Sequence, residues 1–180
     1  MRKLLLVGAV LVAGCGSGAQ EFVVNGLKLD ASDQLYTSKP MGYFCDMAPL
    51  GQIKIQFFDY APACVLDQKP ADPDPRDPAL EHTELDIVLG GLGTSHQDLR
   101  TPFSVSKVDC VIGPGDNGTA YFYHYPAGAM MPDVTTQVDS GSVKIDAWDK
   151  TNATAVKGNF SLVFGGSKVS GTLNTFNCDH

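Results

Sequence analysis

His82, Glu84 and Asp86 alternate with Thr83, Leu85 and Ile87 in a run with the spacing of a β-strand. Residues at i, i+2 and i+4 of a strand line one face, so an imidazole and two carboxylates project together. Those donor types can hold a divalent metal, with His96 or His124 as a further ligand if the fold brings one near. A polar outer face gives the same spacing, and a solvated face opposite Leu85 and Ile87 is the expectation. Tyr121, Tyr123 and Tyr125 form a second trio on one face of a strand, with Ala120, Phe122 and His124 on the other. A tyrosine offers a flat apolar ring and a polar tip, suited to sugar rings or to a protein partner. The trio is therefore the candidate binding face, against the alternative that its members only make cross-strand pairs. Trp148, the only tryptophan, is expected opposite Val143 and Ile145, where it extends such a surface or caps the fold.

Other combinations carry less chemistry. Asp72, Asp74 and Asp77 suggest calcium, but the loop spacing and glycine of an EF-hand are missing and prolines follow each aspartate. The segment Asp67–Glu81 is predicted to be an exposed acidic loop of polyproline character. Gly91-Leu92-Gly93-Thr94-Ser95-His96 lacks the G-x-S-x-G order of a nucleophile elbow, and no helix pattern follows it. Glycine-rich phosphate loops and C-x-x-C pairs are absent from the sequence, so no cofactor is expected. The sequons at Asn117, Asn152 and Asn159 read as turns and strand starts.

Period-two alternation places these residues. It dominates after residue 20, bounded by Gly, Pro, Asn and Asp, and no apolar stripe of 3.6-residue period competes with it. Asn25-Gly26 separates two short apolar-alternating runs and suits a type I′ hairpin turn, since both positions tolerate positive φ. Ile53, Ile55 and Phe57 share one face, as do Leu85, Ile87 and Leu89; Phe103 and Val105 follow. In the last third, Val143, Ile145 and Ala147, then Phe160, Leu162 and Phe164, then Val169, Gly171 and Leu173 point inward, with a turn at Gly165-Gly166. These three strands predict an antiparallel meander. Nine or ten short strands, each with one polar face, predict an all-β chain: an antiparallel β-sandwich, with a flattened β-barrel as the alternative.

The first fifteen residues address the chain. Arg2 and Lys3 precede an apolar run from Leu4 to Val12, far shorter than the roughly 20 residues a membrane-spanning helix needs. The run closes on Leu11-Val12-Ala13-Gly14-Cys15, which resembles the lipobox of bacterial lipoproteins. The resemblance implies cleavage before Cys15, acylation of its thiol and a membrane-anchored product. Residues 1–14 are then a signal peptide, 15–20 a short acylated tether and 21–180 a single domain. Gly16 is not the aspartate associated with inner-membrane retention in enteric-type sorting, so the resemblance implies the outer membrane. A tether this short, extended, reaches about 20 Å and keeps the domain near its membrane.

Cleavage removes 14 of 180 residues and two of 13 basic groups, leaving 11 basic against 20 acidic groups and a net charge of −9. A surface this acidic repels nucleic acid and gains nothing from anionic lipid, so the acyl chains must do the anchoring. Cys45, Cys64, Cys110 and Cys178 remain, an even number that in an exported protein predicts two disulfides. Three pairings are possible, and sequence proximity favours Cys45–Cys64 with Cys110–Cys178. Each bridge would contribute roughly 3–4 kcal/mol. The sequence therefore predicts a non-catalytic envelope module that binds a protein partner or a polysaccharide. A metal-dependent envelope enzyme built on His82, Glu84 and Asp86 is the alternative.

Overall fold

A computed structural model of the chain describes residues 20–31, 33–37, 53–59, 79–90, 102–108, 117–148 and 154–177. Cys15 with its signal, residues 16–19 of the tether, the four cysteines of the predicted disulfides, the Asp72-Asp74-Asp77 loop, His96 and Asn152 lie outside those residues, whereas Gln20, the tether's predicted last residue, is described. The described residues form eleven strands joined by turns, and no helix is among them.

The strands are β1 (Gln20–Val24), β2 (Leu27–Ala31), β3 (Asp33–Thr37), β4 (Ile53–Phe58), β5 (His82–Leu89) and β6 (Phe103–Ser106). They continue with β7 (Asn117–Tyr125), β8 (Val134–Gln137), β9 (Ser140–Trp148), β10 (Thr154–Phe164) and β11 (Ser167–Asn177). Nine of them make one sheet in the order β5-β4-β3-β11-β10-β9-β6-β7-β8, and β5 also pairs with β7. That last pairing turns the sheet back on itself, so of the two predicted architectures the flattened barrel describes the chain better than the sandwich. Closure leaves few exposed strand edges. The predicted meander is present as β9–β10–β11, paired antiparallel throughout.

Alternation sets the inner face. Ile53, Ile55 and Phe57, Leu85, Ile87 and Leu89, and Phe160, Leu162 and Phe164 are all buried. Aromatic rings span the interior, with Phe57 5.3 Å from Phe160 and Phe122 6.4 Å from Phe164 between centroids. The register of β10 slips against both of its neighbours, between Thr154 and Lys157 on the β11 side and again on the β9 side. A bulge lies between Lys157 and Gly158 where β10 meets β9, so Ile145 faces Gly158 but Ala147 faces Lys157. Ala147 is consequently exposed, not inward as its spacing predicts. Trp148 ends β9 in backbone register with Val156, and the placement of its side chain lies outside what the structure describes. Asn117 begins a strand as predicted, whereas Asn159 lies within β10.

β1 and β2 form a separate hairpin whose Asn25-Gly26 turn has φ values of 50° and 85°, as the type I′ turn requires. Its inner face buries Phe22, Val24, Leu29 and Ala31. Phe22 meets Phe57 edge-on at 5.4 Å and Phe160 at 5.6 Å, so the hairpin is a lid on the aromatic interior. β1 lies against β11, and β2 against β4 and β5. The lid also covers a weak seam: β3 and β11 pair, in parallel, only at Leu35–Phe176 and Tyr36–Asn177. Above that point the Gln20 side chain stands in for a strand. Its Oε1 accepts from Thr172 N–H at 2.7 Å and its Nε2 donates to Thr172 C=O at 2.9 Å.

Candidate functional site

The two residue trios of the sequence lie side by side. In the β5–β7 ladder His82 faces Tyr125, Glu84 faces Tyr123 and Asp86 faces Tyr121. Directly opposed residues share a face, so imidazole, carboxylates and tyrosines make one strip on the outer wall of the barrel. The neighbouring strands extend it. Gln56 of β4 lies opposite Asp86, and Thr135 and Gln137 of β8 lie opposite Tyr123 and Tyr121.

This wall is not the solvated face that the spacing predicts. His82, Glu84 and Asp86 are only 4, 6 and 3 % exposed. All eight residues of β5 are buried, and the strand is paired on both edges, by β4 and β7. A carboxylate this buried needs partners. Asp86 has them in Lys54, whose Nζ is 2.7 Å from Oδ2, and in Gln56, whose Nε2 donates to Oδ1 at 3.1 Å. Lys54 and Gln56 were legible as the polar alternates of Ile53, Ile55 and Phe57, but nothing in the sequence paired them with Asp86.

The tyrosines are half-buried. Tyr121 and Tyr123 stack with centroids 5.9 Å apart and planes 14° from parallel, while Tyr123 and Tyr125 are 6.2 Å apart and tilted at 44°. The rings thus turn their faces toward each other along the strand and their edges outward. The Tyr121 hydroxyl accepts from Gln137 Nε2 at 3.0 Å, an amide that also donates to Val108 C=O at 2.8 Å. Burial, reinforced by the charge of Asp86, pushes the Tyr123 hydroxyl far above the ordinary tyrosine range. Tyr123 is therefore a neutral donor at any physiological pH.

At the rim, Asp59 Oδ2 accepts from Thr83 N–H at 2.8 Å, and its Oδ1 is 3.9 Å from His82 Nδ1, within ion-pair range but too far for a hydrogen bond. Burial raises the Asp59 carboxyl above its usual range, against the lowering effect of the Thr83 bond. Among the described residues, no three His, Cys, Asp or Glu side chains converge as metal ligands. Adjacent same-face positions of a strand are about 6.6 Å apart, and Asp86 is already held by Lys54 and Gln56. His124 does not join the trio, because it faces Thr83 on the other side of the ladder. Its imidazole is instead clasped, Nδ1 to Asp133 Oδ1 at 2.7 Å and Nε2 to Glu81 Oε1 at 2.9 Å. The chain matches no family model, no curated protein and no solved structure.

Proposed function

We propose that the chain is a lipid-anchored, non-catalytic binding module of the cell envelope that engages its partner through the tyrosine face of β7 and the neighbouring outer face of β8. The observation that carries this reading is the division of the barrel into a packed interior and one chemically rich wall. Phe22, Phe57, Phe122, Phe160 and Phe164 fill the inside, so recognition falls to the exterior. The anchor follows from the lipobox resemblance at Leu11–Cys15. Of the two partner classes, a protein fits the wall better than a polysaccharide. Sugar rings stack on open aromatic faces, whereas Tyr121 and Tyr123 spend theirs on each other and offer edges and hydroxyls.

Photocrosslinking in intact cells tests the reading with the native, anchored chain. A crosslinker at Thr135, exposed and opposite Tyr123, should yield a discrete adduct; one at Ser170, exposed on β11, should not. Tyr121→Ala with Tyr123→Ala should remove the adduct. A heterodisperse adduct would transfer the reading to a polysaccharide, and equal adducts from both walls would refute it. Protease shaving before and after permeabilisation then gives the side of the membrane, with Ala79–Glu81 exposed as predicted for the end of the acidic loop.

A further inference from the structure

We infer that the rim formed by Leu80 and the β7–β8 turn is a second docking surface, built for a protein segment that combines apolar side chains with Lys or Arg. Of the described residues, the large apolar side chains standing in solvent are Val23, Leu80, Met130 and Met131. The last three, at 59, 63 and 75 % exposed, belong to one rim. The clasp on His124 brings them there: Glu81, next to Leu80, and Asp133, two residues past Met131, grip opposite nitrogens of one imidazole. Exposed methionines are adaptable apolar contacts that mould to a partner's side chains.

The surface is preorganised. Asp133 N–H donates to His124 C=O at 3.1 Å and Ala129 N–H to Pro126 C=O at 3.0 Å. Gly128 supplies the positive φ, 81°, that the turn requires, and Pro126 and Pro132 stiffen its two ends. A rigid tip loses little entropy when it binds.

Charge selects the partner. From residue 109 to residue 143 the sequence holds no Lys or Arg, while Glu81 and Asp133 stand exposed beside the apolar residues. With His124 protonated the clasp still carries a net negative charge, and with it neutral the charge is larger. An acidic rim around methionines complements a cationic amphipathic segment and repels an anionic bilayer. Direction agrees: β1 begins beside Thr172 and runs toward Ser167, where Asn25 N–H donates to Ser167 Oγ at 3.3 Å. The chain therefore enters the domain heading toward the Gly165-Gly166 turn and the rim, not away from them. This surface goes beyond the tyrosine wall and is tested by different residues.

The test uses the full chain in phosphatidylcholine nanodiscs and a short labelled peptide of alternating leucine and lysine, read by fluorescence anisotropy. Met130→Ser with Met131→Ser, and separately Leu80→Ser, should weaken binding about tenfold, whereas Tyr121→Ala should not. A leucine–glutamate peptide should bind no better than the serine variants do. Unchanged affinity in all the serine variants overturns the inference. So does peptide-free protection of residues 126–133 from hydrogen exchange by the nanodisc, which assigns the rim to lipid. Self-association in sedimentation that the serine variants abolish also overturns it, in favour of a second copy.

Discussion

Tyr123 stands directly opposite Glu84 on the β5–β7 ladder, a half-buried phenol against a buried carboxylate. A phenolate there would be desolvated and would face the negative charges of Asp86 and Glu84. The fold thus holds Tyr123 neutral, with its proton bound more tightly than in the unfolded chain. A group whose pKa is raised by folding gives its full stability below its unfolded value, about 10 for tyrosine, and loses it as the pH climbs further. Unfolding midpoints in urea should therefore fall from about pH 10 upward. Tyr123→Phe should flatten that fall, and phenolate absorbance should show one tyrosine fewer ionising on unfolding.

His124 works in the same direction at lower pH. Hydrogen bonds that its ring N–H groups donate, to Glu81 first and then to Asp133, raise its pKa above the ordinary histidine value. Its clasp is fully effective below about pH 6.5 and fades as the pH rises through the raised folded value. Both carboxylates are exposed, so the pairs together contribute on the order of 1 kcal/mol. The melting temperature of His124→Gln should lie furthest below that of the parent near pH 6 and converge with it by about pH 9.

The clasp also marks where the sequence stopped being legible. Alternation at Ile53–Phe57, Leu85–Leu89 and Phe160–Phe164 placed the core, and Asn25-Gly26 and Gly165-Gly166 placed two turns. Each depends only on neighbours in the chain. The pairing of β5 with β7, which closes the barrel and lays the histidine-carboxylate trio beside the tyrosines, joins segments that the periodicity treats independently. Burial of Asp86 was hidden for the same reason, because Lys54 and Gln56 reach it from another strand. The bulge that turned Ala147 outward was hidden differently: Gly158 lies where a Cβ would collide with the Lys144 carbonyl oxygen, a clash invisible without the partner strand.

Gly158→Ala should accordingly be severe. An added methyl would meet backbone atoms of Lys144 and Ile145, which cannot swing aside as a side chain can. The β9–β10 ladder must part or the bulge must move, and a change of that class costs about 3 kcal/mol. Ser161→Ala, exposed on the same strand, should change stability by less than about 0.5 kcal/mol. Chemical denaturation of both variants makes the comparison.

Asp86 and Lys54 allow a sharper test of how a buried charge is tolerated. Lys54→Ala leaves the carboxylate with Gln56 alone in a nearly solvent-free site, which should cost about 3 kcal/mol. Replacing both partners, Lys54→Met with Asp86→Leu, removes charge and desolvation together and should return stability to within about 1 kcal/mol of the parent. If the double variant is as unstable as the single one, the pair holds the wall in a way hydrophobic packing does not replace.

The Gln20 amide makes the last prediction, because it completes a ladder from outside the sheet. Thr172 N–H has Gln20 Oε1 as its acceptor on the edge that β3 leaves unpaired. Gln20→Ala therefore opens the Thr172 amide to water and loosens the lid. Its exchange should accelerate strongly, while that of Leu162, on β10 with β9 and β11 paired on either side, should track global unfolding and change little. Overall stability should drop by only about 1–2 kcal/mol, the scale of two hydrogen bonds replaced by water. Phe22→Ala is the contrasting variant: it removes a ring packed on Phe57 and Phe160 and should cost about 3–5 kcal/mol. If the two variants lose equal stability, the hairpin is held by its edge contact and not by the aromatic interior it covers.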